Sequence, residues 1–125
     1  MKRSLTKAER LRGRGLVRSV LSSPMRWSVR GCSLRVLPNE LAFSRLLVSP
    51  GRRYGNAIER NYVKRVGKEV FRNLKPLLRP GFDVAFIFYS GDYTYQDRKN
   101  QISDLLSRAN LLQLPETRQG LDPES

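Results

Sequence analysis

Histidine is missing altogether, and cysteine occurs once, as Cys32. Without histidine there is no imidazole for acid–base work, no histidine-containing triad and no zinc-and-water centre of the base-deaminase kind. A lone cysteine excludes an intrachain disulfide and fits a reducing, cytoplasmic compartment. No apolar run approaches the roughly 20 residues of a membrane helix, so no membrane span is expected. The basic start MKRSL is not followed by the apolar stretch and small-residue cleavage site of a targeting segment. Acids are scarce as well: 11 Asp and Glu face 24 Lys and Arg, a net charge of +13. That exceeds the magnitude of about 2–8 suited to a small domain. The self-repulsion it brings is relieved by a polyanion such as RNA, DNA or an anionic membrane surface.

What is present suffices for one folded domain: 125 residues, 39% of them apolar. The charge is unevenly spread. Residues 1–30 carry nine Arg or Lys against Glu9, and residues 52–79 carry nine against Glu59 and Glu69. From Pro80 onward seven acids outnumber four bases. Nucleic acid is therefore expected on the first two thirds, with the last third supporting the fold.

Along the chain, residues 6–22 read as a helix with Thr6 and Glu9 in a capping-box pattern. Gly13 and Gly15 weaken its first turns, so the helix is also compatible with a start near Arg14. Residues 27–37 read as a strand with a register shift near Gly31 and Cys32. Residues 42–49 form the next, and the unbroken Leu46-Leu47-Val48 suggests a central strand. From Asn56 to Leu74 the pattern is helical. Val63, Val66, Val70 and Leu74 share one stripe, opposite Arg60, Asn61, Lys64, Arg65, Lys68, Arg72 and Lys75. Pro76 ends it, residues 82–89 form a strand covered on both faces over part of its length, and residues 95–109 a closing helix. The expected architecture is a single-domain α+β sandwich of order helix, strands, helix, strand, helix, with helices packed on a mostly antiparallel sheet. The domain is placed at residues 1–113, and 114–125 read as a flexible tail.

The stretch Gly55-Asn-Ala-Ile-Glu-Arg60-Asn61-Tyr-Val-Lys64-Arg65, preceded by Arg52 and Arg53, resembles the signature of the bacterial ribonuclease P protein subunit. The likeness extends over roughly residues 5–112, through Glu69-Val-Phe-Arg72 and Pro80-Gly-Phe-Asp83, in the right order. The chain departs from that pattern at Tyr62, where an Arg or Lys is usual, at Leu47 in place of a glycine, and at Pro50-Gly51. It also lacks aromatic residues on the first helix.

The resemblance implies the small subunit of a ribonucleoprotein endoribonuclease that removes the 5′ leader from precursor tRNA. The RNA subunit would supply the active site and hold Mg2+, so no catalytic or metal-binding residue is assigned to the protein and no protein partner is required. Contacts to the catalytic RNA are expected from Arg52, Arg53, Arg60, Lys64, Arg65, Lys68 and Arg72, since guanidinium forks and mobile ammonium groups both suit phosphate. Asn61 serves either RNA or a neighbouring loop, and Tyr62 either packs or stacks on a base. The leader cleft is expected at Arg14, Leu16, Arg18, Val20, Leu34, Arg35 and Val36, pairing apolar surface with charge. Asp83 reads as structural or as an aid to a metal ion on bound RNA. Two other classes remain at this point: a structural or ribosomal-type RNA-binding protein, and a self-sufficient nuclease with a carboxylate cluster.

Overall fold

Phe82–Phe88 is the strand on which the rest of the chain is assembled, buried without a break from Asp83 to Phe86. The structure is a computed structural model and describes residues 7–113. Its elements are α1 (Arg14–Leu21), β1 (Arg26–Val29), β2 (Cys32–Pro38), β3 (Arg45–Pro50), α2 (Ala57–Leu74), β4 (Phe82–Phe88) and α3 (Tyr95–Arg108). Short 3-10 turns stand at Lys7–Glu9 and Lys75–Leu77. The four strands are ordered β1-β2-β4-β3, antiparallel except for the parallel pair β3–β4. This is the α+β sandwich, with a mixed sheet in which α2 is the crossover between its parallel strands.

Alternation along β2 and β4 divides the core between two faces. On one, Cys32, Leu34, Val36, Val84, Phe86 and Phe88 pack against Val63, Val66, Val70 and Phe71 of α2 and Ile102, Leu105 and Leu106 of α3. On the other, Ala85 meets Leu11 and Val20, with Leu21, Leu37 and Leu47 against them. The sheet is thus covered by α2 and α3 on one side and by α1 on the other.

Two local expectations are revised, and one open alternative, the start of the first helix, is decided. The strand read over 27–37 is a hairpin, β1 and β2, whose turn places Gly31 at φ 86, the left-handed region that favours glycine. β3 is an edge strand: among the described strands it pairs with β4 alone, and the segment before α1 runs along its outer side, with Arg10 bridged to Leu46 and the Leu11 amide donating to the Leu46 carbonyl at 2.8 Å. Its apolar run records coverage of its faces, not a central position. The first helix begins at Arg14, after Gly13 at φ 98. Thr6 and the residues from 114 onward lie outside the described residues, and Glu9 pairs with Lys75 at 2.7 Å.

Asp83 has a structural task. It accepts two hydrogen bonds from Arg45, at 2.7 and 2.8 Å, and one from the Asn39 side chain at 2.8 Å, tying the 39–44 connection to the sheet. Cys32 is fully buried, and burial pushes its thiol up to about 12 despite the opposing Arg98 cation. That keeps it protonated and unreactive.

Candidate nucleic-acid interface

The basic helix is aimed by its first turn. Asn56 Oδ1 accepts from the Glu59 amide at 2.9 Å, and Glu59 Oε1 accepts from the Asn56 amide at 3.0 Å, so the cap satisfies two backbone donors. With that start and with Val63, Val66, Val70 and Phe71 in the core, Asn61, Arg65 and Lys68 stand exposed and Arg60, Lys64 and Arg72 half-buried. Arg52 and Arg53 are exposed in the turn ahead of the helix. Arg60 donates from Nη1 to the Gly51 carbonyl at 3.0 Å, so one arm braces that turn. Arg72 reaches Glu69 at 2.6 Å, which makes it the most nearly neutralised member of the patch.

Tertiary structure enlarges this surface. Burial, then the neighbouring Arg10, Lys64 and Arg12, hold Lys68 below the ordinary lysine pKa. Arg10 and Arg12 arrive there because the segment before α1 runs along the outer edge of β3. The sequence reading assigned neither residue to the site, and no local pattern connects position 10 with a helix more than 40 residues later.

On the opposite face, α1 carries Arg14 and Arg18 into solvent. Here the expected cleft is corrected. Val20, Leu34 and Val36 are at most 1% exposed. Leu34 and Val36 belong to the face packed by α2 and α3, and Val20 is the core anchor of α1. Leu16 points outward, with 42% of its surface exposed. The apolar residues of α1 left half-buried are Val17 and Leu21, one turn apart, and Leu21 packs beside Val20. Two stripes, 16–20 and 17–21, compete in the sequence; the fold buries Val20 of the first against Ala85 and turns Leu16 to solvent, so the apolar surface that α1 keeps partly open beside the sheet is Val17 and Leu21. Beyond α1 the same sheet face presents Ser49 and Ile87, aligned in register with Ser33, whose hydroxyl meets Tyr89 Oη at 3.0 Å. Arg35 lies on this face too, opposite Arg26 in the β1–β2 register. Its Nε and Nη1 are buried and have no hydrogen-bond partner among the described residues.

Magnesium, which the family implies, finds no built site on the chain: among the described residues no three Cys, Asp or Glu side chains come together. Most of their carboxylates are engaged elsewhere. Asp83 holds Arg45 and Asn39, Glu59 and Asp97 cap α2 and α3, and Asp104 pairs with Arg108.

A basic crossover helix on one face of a four-stranded sheet and a short basic helix on the other describe an RNA-holding surface without acid–base machinery. Residues 5–110 match the family model "Ribonuclease P". The chain belongs to the ribonuclease P protein family. It is 31% identical to the ribonuclease P protein component of Petrotoga mobilis over 110 residues, covering 82% of this chain and 92% of that one. With the Clostridioides difficile component it shares 35% identity over 79 residues, 61% and 69% of the two chains. The solved Staphylococcus aureus ribonuclease P protein superposes with a TM-score of 0.77 over 85% of this chain and 99% of that one, at 24% identity, a likeness of fold. The chain is accordingly a protein subunit of ribonuclease P, a ribonucleoprotein nuclease of tRNA processing. That sets aside the ribosomal-type alternative.

Proposed function

We propose that the protein serves ribonuclease P by holding two RNAs on opposite faces of its sheet. The RNA subunit lies along α2, against Arg53, Lys64, Arg65 and Lys68. The 5′ leader of precursor tRNA lies beside α1, against Val17, Leu21, Arg18 and Arg35. The RNA subunit holds the magnesium ions and performs the cleavage, in the cytoplasm and with no further protein partner.

The observation that carries the leader half of this reading is the buried edge of Arg35. Nε and Nη1 are held away from solvent without an acceptor, which is costly, while the half-buried side chain keeps other surface open, where a phosphate would form a charge-assisted bond with the guanidinium. The apolar Val17 and Leu21 supply sequence-tolerant contact to bases, as in other single-strand grooves.

The test is the affinity of the reconstituted enzyme for precursor tRNA relative to mature tRNA. Arg35→Ala is expected to lower that preference by about 10- to 100-fold, the worth of one hydrogen bond to a charged group. Affinity for the RNA subunit stays unchanged, and the RNA-free protein cleaves nothing. Full leader preference in the variant, or cleavage at the mature 5′ end by protein alone, would overturn the reading.

A further inference from the structure

Between the first turns of α2 and the turn at residues 90–93 lies an open pocket of about 630 Å3. Its size is within the range of about 300–1,000 Å3 usual for small-ligand sites. Tyr54, Tyr62 and Tyr93 line it, together with Ile58, Asn61 and Arg65. Ile58 is 79% and Tyr62 51% exposed, one turn apart on the same side of α2. Such an apolar and aromatic pair in solvent contributes nothing to the core.

The far wall is held rigid from below. Arg98 is 3% exposed, with its guanidinium carbon 4.5 Å from the Tyr93 ring centre and its Nη2 donating to Tyr54 Oη at 3.0 Å. Tyr93 is wedged between two glycines. A Cβ on Gly31 would stand 2.6 Å from Tyr93 Cζ, and one on Gly91 would also collide with the ring. On the near wall the Arg65 guanidinium lies 5.8 Å from the Tyr62 ring centre. The pocket therefore combines fixed aromatic surface with a cation from the basic face of α2.

These features select an occupant. Aromatic faces accept any nucleobase, and an adjacent arginine accepts the flanking phosphate. Glu59 is the one carboxylate in this lining, against Asp92 and Asp97 in the groove on the other side of Tyr93, so a strand seated here continues along α2, where Arg65 and Lys68 follow. α2 lies on the side of the sheet away from α1, so the strand belongs to the RNA subunit and not to the leader. We propose that this pocket takes one unpaired base of the RNA subunit, stacked on Tyr62 with its phosphate on Arg65. The inference rests on the reading that α2 meets the RNA subunit.

The experiment measures the affinity of the full chain for the RNA subunit across a salt series, for the parent, Tyr62→Leu, Tyr62→Phe and Arg65→Ala. Leucine keeps the bulk and loses the π face; circular dichroism checks that each variant folds. Tyr62→Leu is expected to weaken binding by about 5- to 100-fold, the worth of one stacked base, with the salt slope unchanged. Tyr62→Phe retains the affinity, and Arg65→Ala lowers the slope by about 0.7–0.9, one phosphate contact. Parent-like affinity in Tyr62→Leu, or an equal loss in Tyr62→Phe, overturns the stacking site. If Arg65→Ala still changes the slope in that case, the RNA-subunit reading of α2 stands and only the pocket assignment fails. If Tyr62→Leu and Arg65→Ala both bind like the parent at every salt concentration, the reading of α2 fails with it.

Discussion

At the scale of single residues, the two charged residues buried as a whole among the described residues, Arg98 and Asp83, are both met by partners. Arg98 is the clearest case: it donates to the Gly31 and Tyr89 carbonyls, to Gln101 and to Tyr54, and sits against the Phe88 ring at 5.0 Å. Asp83 is the other, and its side chain is 3% exposed against 19% for Arg45. Removing one partner of such a pair strands the other charge, whereas replacing both with apolar groups is far less damaging. Asp83→Ala is therefore expected to cost about 3 kcal/mol, the lower end for a buried pair, because Arg45 keeps some solvent. Urea denaturation checks this, and Asp83→Leu combined with Arg45→Met is expected to recover part of the loss. The same reasoning gives Asp83 a part in folding.

At the scale of elements, α2 shows how closely a helix can be held to a sheet. Gly67 faces β3 and β4, and a Cβ there would stand 2.9 Å from Val48 Cγ1 and 3.0 Å from Phe88 Cε2. In an exposed helix, Gly→Ala would stabilise by up to about 1 kcal/mol. Here it overfills a packed interface, so Gly67→Ala is expected to destabilise by about 1–3 kcal/mol. It should also disturb RNA-subunit binding, since it displaces the helix that carries Lys64 and Lys68. Thermal unfolding of the variant decides the sign, and a rise in Tm would mean that Val48 and Phe88 yield easily. Much of α2 was legible beforehand: Asn56, Glu59 and the valine stripe bound it within one residue of Ala57–Leu74. Its tight seat on the sheet was not, because a glycine in a helical pattern does not say what lies across from it.

At the scale of the molecule, the charge of +13 has two consequences of opposite sign. Cations crowd one another in the free protein, as Lys68 does beside Arg10, Lys64 and Arg12. Salt screens that repulsion, so the Tm of the free protein is expected to rise between about 0.02 and 0.2 M salt. RNA affinity should fall over the same interval, by a slope of about 0.7–0.9 per phosphate neutralised. Lys68→Gln should raise the low-salt Tm, shrink the salt-induced gain and reduce the binding slope together. A Tm indifferent to salt would show that the basic residues do not strain the free fold.

Sequence by itself determined the class of this protein: α+β order, absence of imidazole chemistry, the basic helix and its cap. These are short-range properties, set by residue type and by spacings of three or four along one helix. Tertiary structure decided what depends on distant segments meeting. It separated Leu16 from Val20, burying Val20 against the sheet, turning Leu16 to solvent and leaving Val17 and Leu21 partly open, because only the sheet opposite decides which residues of two adjacent stripes are covered. It brought Arg10 and Arg12 to Lys64 and Lys68 through pairing at the edge of β3. It also set Tyr54 and Tyr93 across a pocket from Tyr62, from loops and a helix that share no local pattern. Periodicity along a chain records which residues are buried, and only the packed fold records against what.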